Sequence, residues 1–423
     1  MSRRAADKRF FLHTLGCKVN WCDSDTLARA ALARGWQQVR AVRDAHIAII
    51  NTCTVTAHAD ATARKIIRAL KRANPAAPLI IAGCYARTDA AALARVADGL
   101  HIVPDATHEA TLALMESLVE ALHATADNDV VQTVERATSR TRAFIKIQDG
   151  CDQFCAYCKV PLARGPARSV PLRTVLELVR VRAAEGFREI VLSGVNLAQY
   201  NDQGAGLADV VRAVAALDCV PRIRISSVEA NAVNDALLHV FADYPALMPH
   251  LHMPLQSGSA RLMERMRRPV SRVQFMAAAR AFYACRPDAV ITTDVLVGFP
   301  GETEEDLAET LAVIDELAFG KVHVFPFSPR PGTLAAGMQP RIAPAELRAR
   351  ETRVLAAARA AAIRCRTRCA ALPLHVLIEH QRHGWWEGFS QNYLRVRSRR
   401  PGLHPGQIVE LTCTADETQF VQP

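Results

Sequence analysis

No uninterrupted apolar run in this 423-residue chain reaches the ~18–20 residues that a membrane-spanning helix needs. The basic start, MSRRAADKRFFLHTLGC, has only residues 10–15 as an apolar stretch, far too short for a signal-peptide core. A cytoplasmic protein with no membrane attachment is therefore expected. Neither a Walker-type phosphate loop nor a dinucleotide fingerprint occurs in its proper context, which removes the two commonest glycine-rich nucleotide loops. Acidic residues are in deficit, 42 against 52 Lys and Arg, and the net charge of +10 favours a polyanionic partner. Half the residues are apolar, which excludes a disordered chain, and the length suggests two or three domains. In a reducing compartment a disulfide framework is not expected, so the 12 cysteines point to metal or redox chemistry.

Three of them lie on one stretch. Residues 144–165 read FIKIQDGCDQFCAYCKVPLARG, with Cys151, Cys155 and Cys158 spaced Cys-x3-Cys-x2-Cys after a β-like run that Gly150 ends. Three thiolates on a short loop can grip a soft metal centre. A closed structural site uses four ligands, and a four-iron cluster normally takes four thiolates, so one metal position is left open for chemistry. A zinc knuckle that borrows a distant fourth ligand, or three packed cysteines, fits the spacing as well.

Three further cysteines each follow a strand. β-like runs at 10–15, 46–50 and 79–82 lead into Gly16-Cys17, Asn51-Thr52-Cys53 and Gly83-Cys84, with helical stretches at 24–34, 57–73 and 90–96. This rhythm predicts a parallel sheet, in which loops at the C-terminal strand ends share one edge. Cys17, Cys53 and Cys84 then meet on that edge despite their distance in sequence. Cys22 is off this pattern, and Cys219 and Cys285 are expected to pack. In the helix at 57–73, Arg64, Arg68, Lys71 and Arg72 share a face that suits either solvent or phosphates. Residues 124–142 are polar, lack periodicity and read as a linker.

From residue 143 to 340 strand-then-helix units recur, with strands expected at 144–147, 189–193, 222–226, 250–253, 289–297 and 321–325. Six units predict a partial (β/α) barrel, whose function collects at the C-terminal strand ends. Polar residues gather there, among them Ser227, Glu229 and Gln256; Glu302, Glu304 and Glu305 fit the first turn of a helix. Residues 341–370 form a basic helix, with eight arginines against two glutamates, suited equally to solvent or to a polyanion. From residue 374 five short strands are expected, at 374–379, 386–390, 393–397, 407–411 and 419–422. Alternation places Tyr393, Arg395 and Arg397 on one face, near Trp385, Trp386 and Phe389, a combination that suits unpaired RNA bases and their phosphates.

Taken together, these motifs resemble the radical S-adenosylmethionine (SAM) methylthiotransferase family over essentially the whole chain. The cysteine loop, with Tyr157 before its last cysteine, looks like the radical SAM signature; QDGC and ARG resemble this branch, while Asp152-Gln153 and Lys159 depart from its usual flanks. TLGCKVN, NTCTVT and AGCYAR look like the three cysteine motifs of the family's N-terminal domain, and HMPLQSGS, TDVLVGFPGET and HVFPFSPRPGT are family-like in order. The resemblance implies an α/β fold in four parts: an N-terminal parallel α/β domain (1–125), a linker (126–142), a partial (β/α)6 radical SAM barrel with a basic helix (143–370) and a small RNA-binding β-barrel (371–423). It implies two 4Fe-4S clusters. One, on Cys151, Cys155 and Cys158, cleaves SAM to a 5′-deoxyadenosyl radical. The other, on Cys17, Cys53 and Cys84, presents the sulfur to be inserted. Tyr157, Ser227, Glu229 and Gln256 are then expected around SAM. TLGCKVN points to the branch that methylthiolates C2 of N6-threonylcarbamoyladenosine 37 in the tRNA anticodon loop. Such an enzyme works as a monomer with a low-potential donor such as flavodoxin or ferredoxin, and its sulfur donor is not named by the sequence. Isopentenyladenosine in tRNA and a ribosomal-protein aspartate are alternative targets, and a zinc-stabilised RNA-binding protein is the alternative without catalysis.

Overall fold

The computed structural model describes residues 8–104, 108–123, 141–370, 372–415 and 420–422. They form two compact units: Met1–Ser139 with Cys158–Gly165, and Arg140–Tyr157 with Pro166–Pro423. Of the expected linker, residues 126–140 lie outside the described residues. Arg142, expected to end it, instead begins a strand.

The first unit is built on strands β1 (Lys8–Thr14), β2 (Trp36–Gln38), β3 (Ile47–Thr52), β4 (Leu79–Gly83) and β5 (Leu100–Ile102), all parallel in the order β2-β1-β3-β4-β5. Helices α1 (Lys18–Ala33) and α5 (His108–His123) cover one face, through Leu27, Ala31, Leu112 and Met115. Helix α2 (Ala57–Ala73) and the short α3 (Cys84–Thr88) and α4 (Ala90–Ala94) cover the other, through Ala63, Ile67, Tyr85 and Leu93. A parallel sheet is buried on both faces, which is why β3 reads as a continuous apolar run, IAII. The edge strands β2 and β5 are only three residues long, too short to show a period, and were not expected from the sequence. Trp36 anchors the β2 edge by donating from Nε1 to Glu116 of α5 at 2.8 Å. Helix α1 starts at Lys18, six residues earlier than expected, because Cys17 itself is its N-cap.

In the second unit β6 (Arg142–Lys146) leads to a small antiparallel pair, β7 (Gln148–Asp149) with β8 (Arg168–Ser169), which ties the two ends of the cysteine loop together. The helix α6 (Val160–Arg164) inside that loop belongs to the first unit. Beyond it run α7 (Leu172–Ala184), β9 (Glu189–Ser193), α8 (Leu207–Ala215), β10 (Arg222–Ile225), α9 (Asp235–Asp243), β11 (His250–His252), α10 (Ala260–Arg265), α11 (Arg272–Cys285), β12 (Val290–Val297), α12 (Glu304–Leu317) and β13 (Lys321–Pro326). Strands β6-β9-β10 and β11-β12-β13 form two parallel runs, joined by the bridges Ile223 to Leu247 and Ser227 to His252. The result is the expected six-stranded partial barrel. Ile291, Val295 and Val297 face the helices, so Thr292, Asp294 and Leu296 face the barrel interior.

Helix α13 (Pro344–Cys369) is the expected basic helix, yet part of its charge is paired with carboxylates of the same chain. Arg350 is buried against Glu302 and Glu346, Arg353 meets Glu304, and Arg364 meets Asp315 at 2.8 Å. Glu302 is therefore not a first-turn residue of α12, as expected from its position. The N-cap is Thr303, and Glu302 lies buried before it, accepting from the Gly298 amide. The chain ends in a six-stranded, mainly antiparallel sheet of β14 (Leu374–Arg382), β15 (Trp385–Ser390), β16 (Arg395–Ser398), β17 (Ile408–Leu411), β18 (Thr414–Ala415) and β19 (Phe420–Gln422), one strand more than expected, in the order β17-β14-β15-β16-β19-β18.

This terminal module docks on the N-terminal ends of the barrel strands. Glu189, the first residue of β9, is 1% exposed and pairs with Arg222 at 2.7 Å and Arg224 at 3.1 Å. Arg222 also donates to the Ser390 carbonyl at 2.9 Å, and Arg142 pairs with Glu379 at 2.8 Å. Burial opposes ionisation of Glu189, but the guanidiniums of Arg224, Arg222 and Arg142 outweigh it and hold its pKa down to about 2. A carboxylate depressed below its unfolded value of ~4.3 adds stability that is present above that pH and lost as pH falls towards about 2. Glu189→Gln strands two buried arginines and is expected to lower stability by about 3–5 kcal/mol. It should also remove the acid-dependent loss between pH 4 and pH 2 that this residue contributes to the wild type. Urea midpoints followed by tryptophan fluorescence across that range check both points. A variant that unfolds at the wild-type midpoint contradicts this role for the pair.

Candidate functional site

In the first unit each strand end delivers a cysteine through a backbone that favours glycine. Gly16 (φ +94°) precedes Cys17, and a Cβ there would lie 2.8 Å from the Cys53 sulfur. Gly83 (φ +89°) precedes Cys84, and its Cβ would meet the Thr52 backbone nitrogen at 2.7 Å. Left-handed glycine therefore turns the chain at two of the three strand ends. Asn20, fully buried, fastens these ends together. Its Nδ2 donates to the carbonyls of Leu15 (2.8 Å) and Thr52 (3.0 Å), and its Oδ1 lies 3.8 Å from the Cys84 sulfur. Asn51 donates in turn to the Asn20 carbonyl at 2.9 Å and to Ser24 at 3.0 Å. Cys17 caps α1, so its sulfur lies at the positive end of a 16-residue helix. Burial pushes the Cys84 thiol up to about 11 and raises that of Cys53, while the Arg164 guanidinium and the amides of Val55 and Thr54 oppose this. Thiols that hold a proton by burial, and that face donors able to stabilise an anion, suit a metal that takes the proton's place.

In the second unit the cysteine loop is pinned by its backbone. The Ala156 amide donates to the Met266 carbonyl at 2.8 Å, and the Ala335 amide to the Ala156 carbonyl at 2.7 Å. Donors face its sulfurs: the Gln153 amide (3.4 Å) and Asn196 Nδ2 (3.8 Å) at Cys151, and Arg268 Nη1 (3.8 Å) at Cys155. Burial raises the Cys155 thiol, and Arg268 opposes it. Donors aimed at sulfur suit thiolates that carry iron. Cys158, half-buried, begins the stretch Cys158–Gly165 that belongs to the first unit.

Of the residues expected around a cofactor, Tyr157 packs in a small apolar cluster with Leu262, Met266, Phe299 and Leu296. Glu229, following β10, is held bidentately by Arg268 at 2.9 and 2.6 Å. Ser227 bridges to His252 in the sheet, and Gln256 (φ +69°) bridges β11 to β12, its carbonyl accepting from Leu296 at 2.8 Å. Gly258, whose Cβ would lie 2.6 Å from the Thr310 Cα, lets this turn press on α12. Asp294 faces the barrel interior, with His252 Nε2 at 3.3 Å and His323 opposite it in register. Thr292 Oγ1 orients both His252 (3.0 Å) and His250 (3.1 Å). Phe325 lies on the same face as His323 and is 40% exposed. Sequence reasoning passed over Arg268, Asp294 and Asn20. The signal for Arg268 was slight, one arginine among three in MERMRR, whereas TTDVLV carried an acid inside an apolar strand, itself a reason to look.

The basic faces differ from expectation. On α2, Arg68 and Arg72 are exposed and Lys71 is half-buried, whereas Arg64 donates to the Tyr85 hydroxyl at 2.8 Å. Tyr393 does not share a strand face with Arg395 and Arg397. It takes φ +67° in a turn, its amide donates to the Ser390 carbonyl, and its ring packs on Phe389 (4.8 Å), His250 (4.6 Å) and the Arg224 guanidinium (4.6 Å). Arg395 pairs with Glu387 at 2.6 Å. Arg397 and, unexpectedly, Arg399 lie over the Trp385 ring, at 4.6 and 4.3 Å from its centre. Cys219 is exposed rather than packed, and Cys285 is half-buried.

Comparison with known proteins fits this arrangement. Residues 9–104 match the uncharacterized protein family UPF0004, and residues 145–314 match the Radical SAM superfamily. A threonylcarbamoyladenosine tRNA methylthiotransferase of Aquifex aeolicus is 34% identical over 81% of this chain and 85% of its own length. Its counterpart in Thermotoga maritima is 32% identical over 97% and 98%. A tRNA-2-methylthio-N(6)-dimethylallyladenosine synthase of Cereibacter sphaeroides is 32% identical over 96% of both. Among solved structures, the radical SAM methyltransferase TsrM of Kitasatospora setae shares the fold, with a TM-score of 0.57 at 14% identity over 78% of this chain and 77% of that one. The radical SAM superfamily uses SAM and a 4Fe-4S cluster. On these relatives the chain belongs to the radical SAM methylthiotransferase family.

Proposed function

We propose that this chain places a methylthio group on C2 of N6-threonylcarbamoyladenosine at position 37 of tRNA. What supports the reading is that Cys17, Cys53 and Cys84 each follow a strand end on one edge of a parallel sheet, while a second set of cysteines, on the loop after β7, has hydrogen-bond donors at the Cys151 and Cys155 sulfurs. One triad with an open iron suffices to cleave SAM; the second has no task unless sulfur must also be supplied. Cys151, Cys155 and Cys158 hold the cluster that, once loaded, supplies an electron to SAM and so a 5′-deoxyadenosyl radical. Cys17, Cys53 and Cys84 hold the cluster that carries sulfur. Beside Cys155, Arg268 and Glu229 pair with each other, and their opposite charges match the carboxylate and ammonium of a methionyl group. Asp294 offers acceptors to ribose hydroxyls in the barrel interior, as acidic residues do in other nucleotide sites. Gln256, Ser227, Tyr157 and the open face of Phe325 border the same end of the barrel. The names of the Aquifex and Thermotoga relatives, with TLGCKVN at Cys17, favour threonylcarbamoyladenosine. The Cereibacter relative supports dimethylallyladenosine as the second reading. A tRNA substrate places the work in the cytoplasm.

For the tRNA backbone, the exposed Arg68 and Arg72 of α2 and the tip of the terminal module are the surfaces proposed. At that tip Arg382, His383 and Arg400 are exposed beside the stack of Arg397, Trp385 and Arg399. Arginines meet phosphates, and an indole or a guanidinium plane gives a base something to stack on.

Nucleoside mass spectrometry of tRNA from a strain lacking the gene tests the substrate. The expected loss is of 2-methylthio-N6-threonylcarbamoyladenosine; loss of the dimethylallyl form with the threonylcarbamoyl form intact contradicts it. Cys17→Ala is expected to keep reductive SAM cleavage and to abolish methylthiolation, whereas Cys155→Ala abolishes both. A Cys17→Ala protein unable to cleave SAM overturns the assignment of two roles. For the module tip, tRNA binding is measured against salt. Replacing Arg397 and Arg399 by Ala should flatten the slope of log K on log salt by about 1–2. Trp385→Ala should weaken binding by about 1–3 kcal/mol with little change of slope.

A further inference from the structure

The peptide that supplies Cys158 continues directly into α6, and α6 packs on α3, the helix that Cys84 begins. At its end Arg164, only 6% exposed, turns its guanidinium into the polar network of the other triad. Nη2 donates to Asn20 Oδ1, and to Asp23 Oδ2 at 2.9 Å. Asn20 Oδ1 is the same atom that lies 3.8 Å from the Cys84 sulfur, and the amide behind it holds Leu15 and Thr52, next to Cys17 and Cys53. A buried cation is costly unless anions face it. Asp23 supplies one negative charge, but it is itself partly exposed, with 23% of its side-chain surface open. Arg164 also faces the Cys84 sulfur, where its charge favours a thiolate over a thiol.

We infer that Arg164 is a positioning residue for the cluster on Cys17, Cys53 and Cys84, fixing its charge balance and its reduction potential. The inference rests on the reading that this triad holds a cluster. Two effects follow from the contacts. The guanidinium fork orients Asn20, which sets the spacing of the strand ends. Its charge stabilises the reduced, more negative cluster, so its loss makes the cluster harder to reduce. The stretch Cys158–Arg164 thus contributes a ligand to one triad and a cation to the other within seven residues of chain.

Redox titration of the anaerobically purified full-length enzyme, followed by electron paramagnetic resonance, tests this. The signal that SAM perturbs belongs to the radical-generating cluster, and the signal that SAM leaves alone belongs to the other. Arg164→Gln is expected to move the SAM-insensitive midpoint to more negative potential and to leave the SAM-sensitive one in place. Release of 5′-deoxyadenosine stays within about twofold of the wild type, and methylthiolation falls at least tenfold. Arg164→Lys restores much of the midpoint because it restores the charge. Asp23→Asn, which removes the opposing carboxylate, moves the same midpoint the other way. If the Arg164→Gln protein does not keep its cluster, the positive shift of Asp23→Asn still decides. An unchanged SAM-insensitive midpoint in Asp23→Asn, or in an Arg164→Gln protein that keeps its cluster, at wild-type iron content, overturns the role of Arg164. A wild-type enzyme with no SAM-insensitive signal overturns instead the reading of the triad, and the inference with it.

Discussion

A buried thiolate is stable only where donors or cations face it, and both candidate centres in this protein are arranged around that constraint. At the loop, Asn196, the Gln153 amide and Arg268 face the sulfurs of Cys151 and Cys155. At the strand ends, the start of α1, the amides after Cys53 and Arg164 serve the same purpose. The surrounding features follow from bringing these groups within reach. Glycines with positive φ turn the chain at Gly16 and Gly83, and Asn20 locks the strand ends. The β7–β8 pair closes the base of the loop.

The second unit divides its two ends between different tasks. Its cysteine loop, Glu229, Arg268 and Gln256 lie beyond the C-terminal ends of the strands, where (β/α) folds keep their chemistry. At the N-terminal ends, Glu189 gathers Arg222 and Arg224, and Arg222 reaches on to the Ser390 carbonyl of the terminal module. Tyr393 fills the joint, its ring against Arg224 and His250. A buried ionic joint of this kind fixes orientation more than it adds stability. At the far tip of the β14–β15 hairpin, Trp385 carries Arg397 and Arg399 over its ring.

What the sequence made legible was whatever a local rule connects to topology. Parallel strands place their C-terminal ends on one edge, so Cys17, Cys53 and Cys84 could be grouped although nothing in their spacing suggests it. The six barrel strands were readable because each is a run of apolar or alternating residues ended by polar ones. Edge strands 36–38 and 100–102 were not, being three residues long and recognisable only by their pairing. The arginines misled for a related reason: charge is visible in sequence, its partner is not. Arg350, Arg353 and Arg364 look like a basic face until Glu302, just before α12, and Glu304 and Asp315 of α12 supply their carboxylates. Tyr393 was misplaced because alternation was continued through a turn that only the hydrogen bond back to Ser390 reveals.

Whether both sets of cysteines hold iron is decided by metal analysis. Iron and acid-labile sulfide are measured on anaerobically purified, reconstituted protein. Two four-iron clusters give about 8 irons per chain, with sulfide to match. Zinc in place of iron, with negligible sulfide, would contradict it and leave a zinc-stabilised RNA-binding protein as the better description.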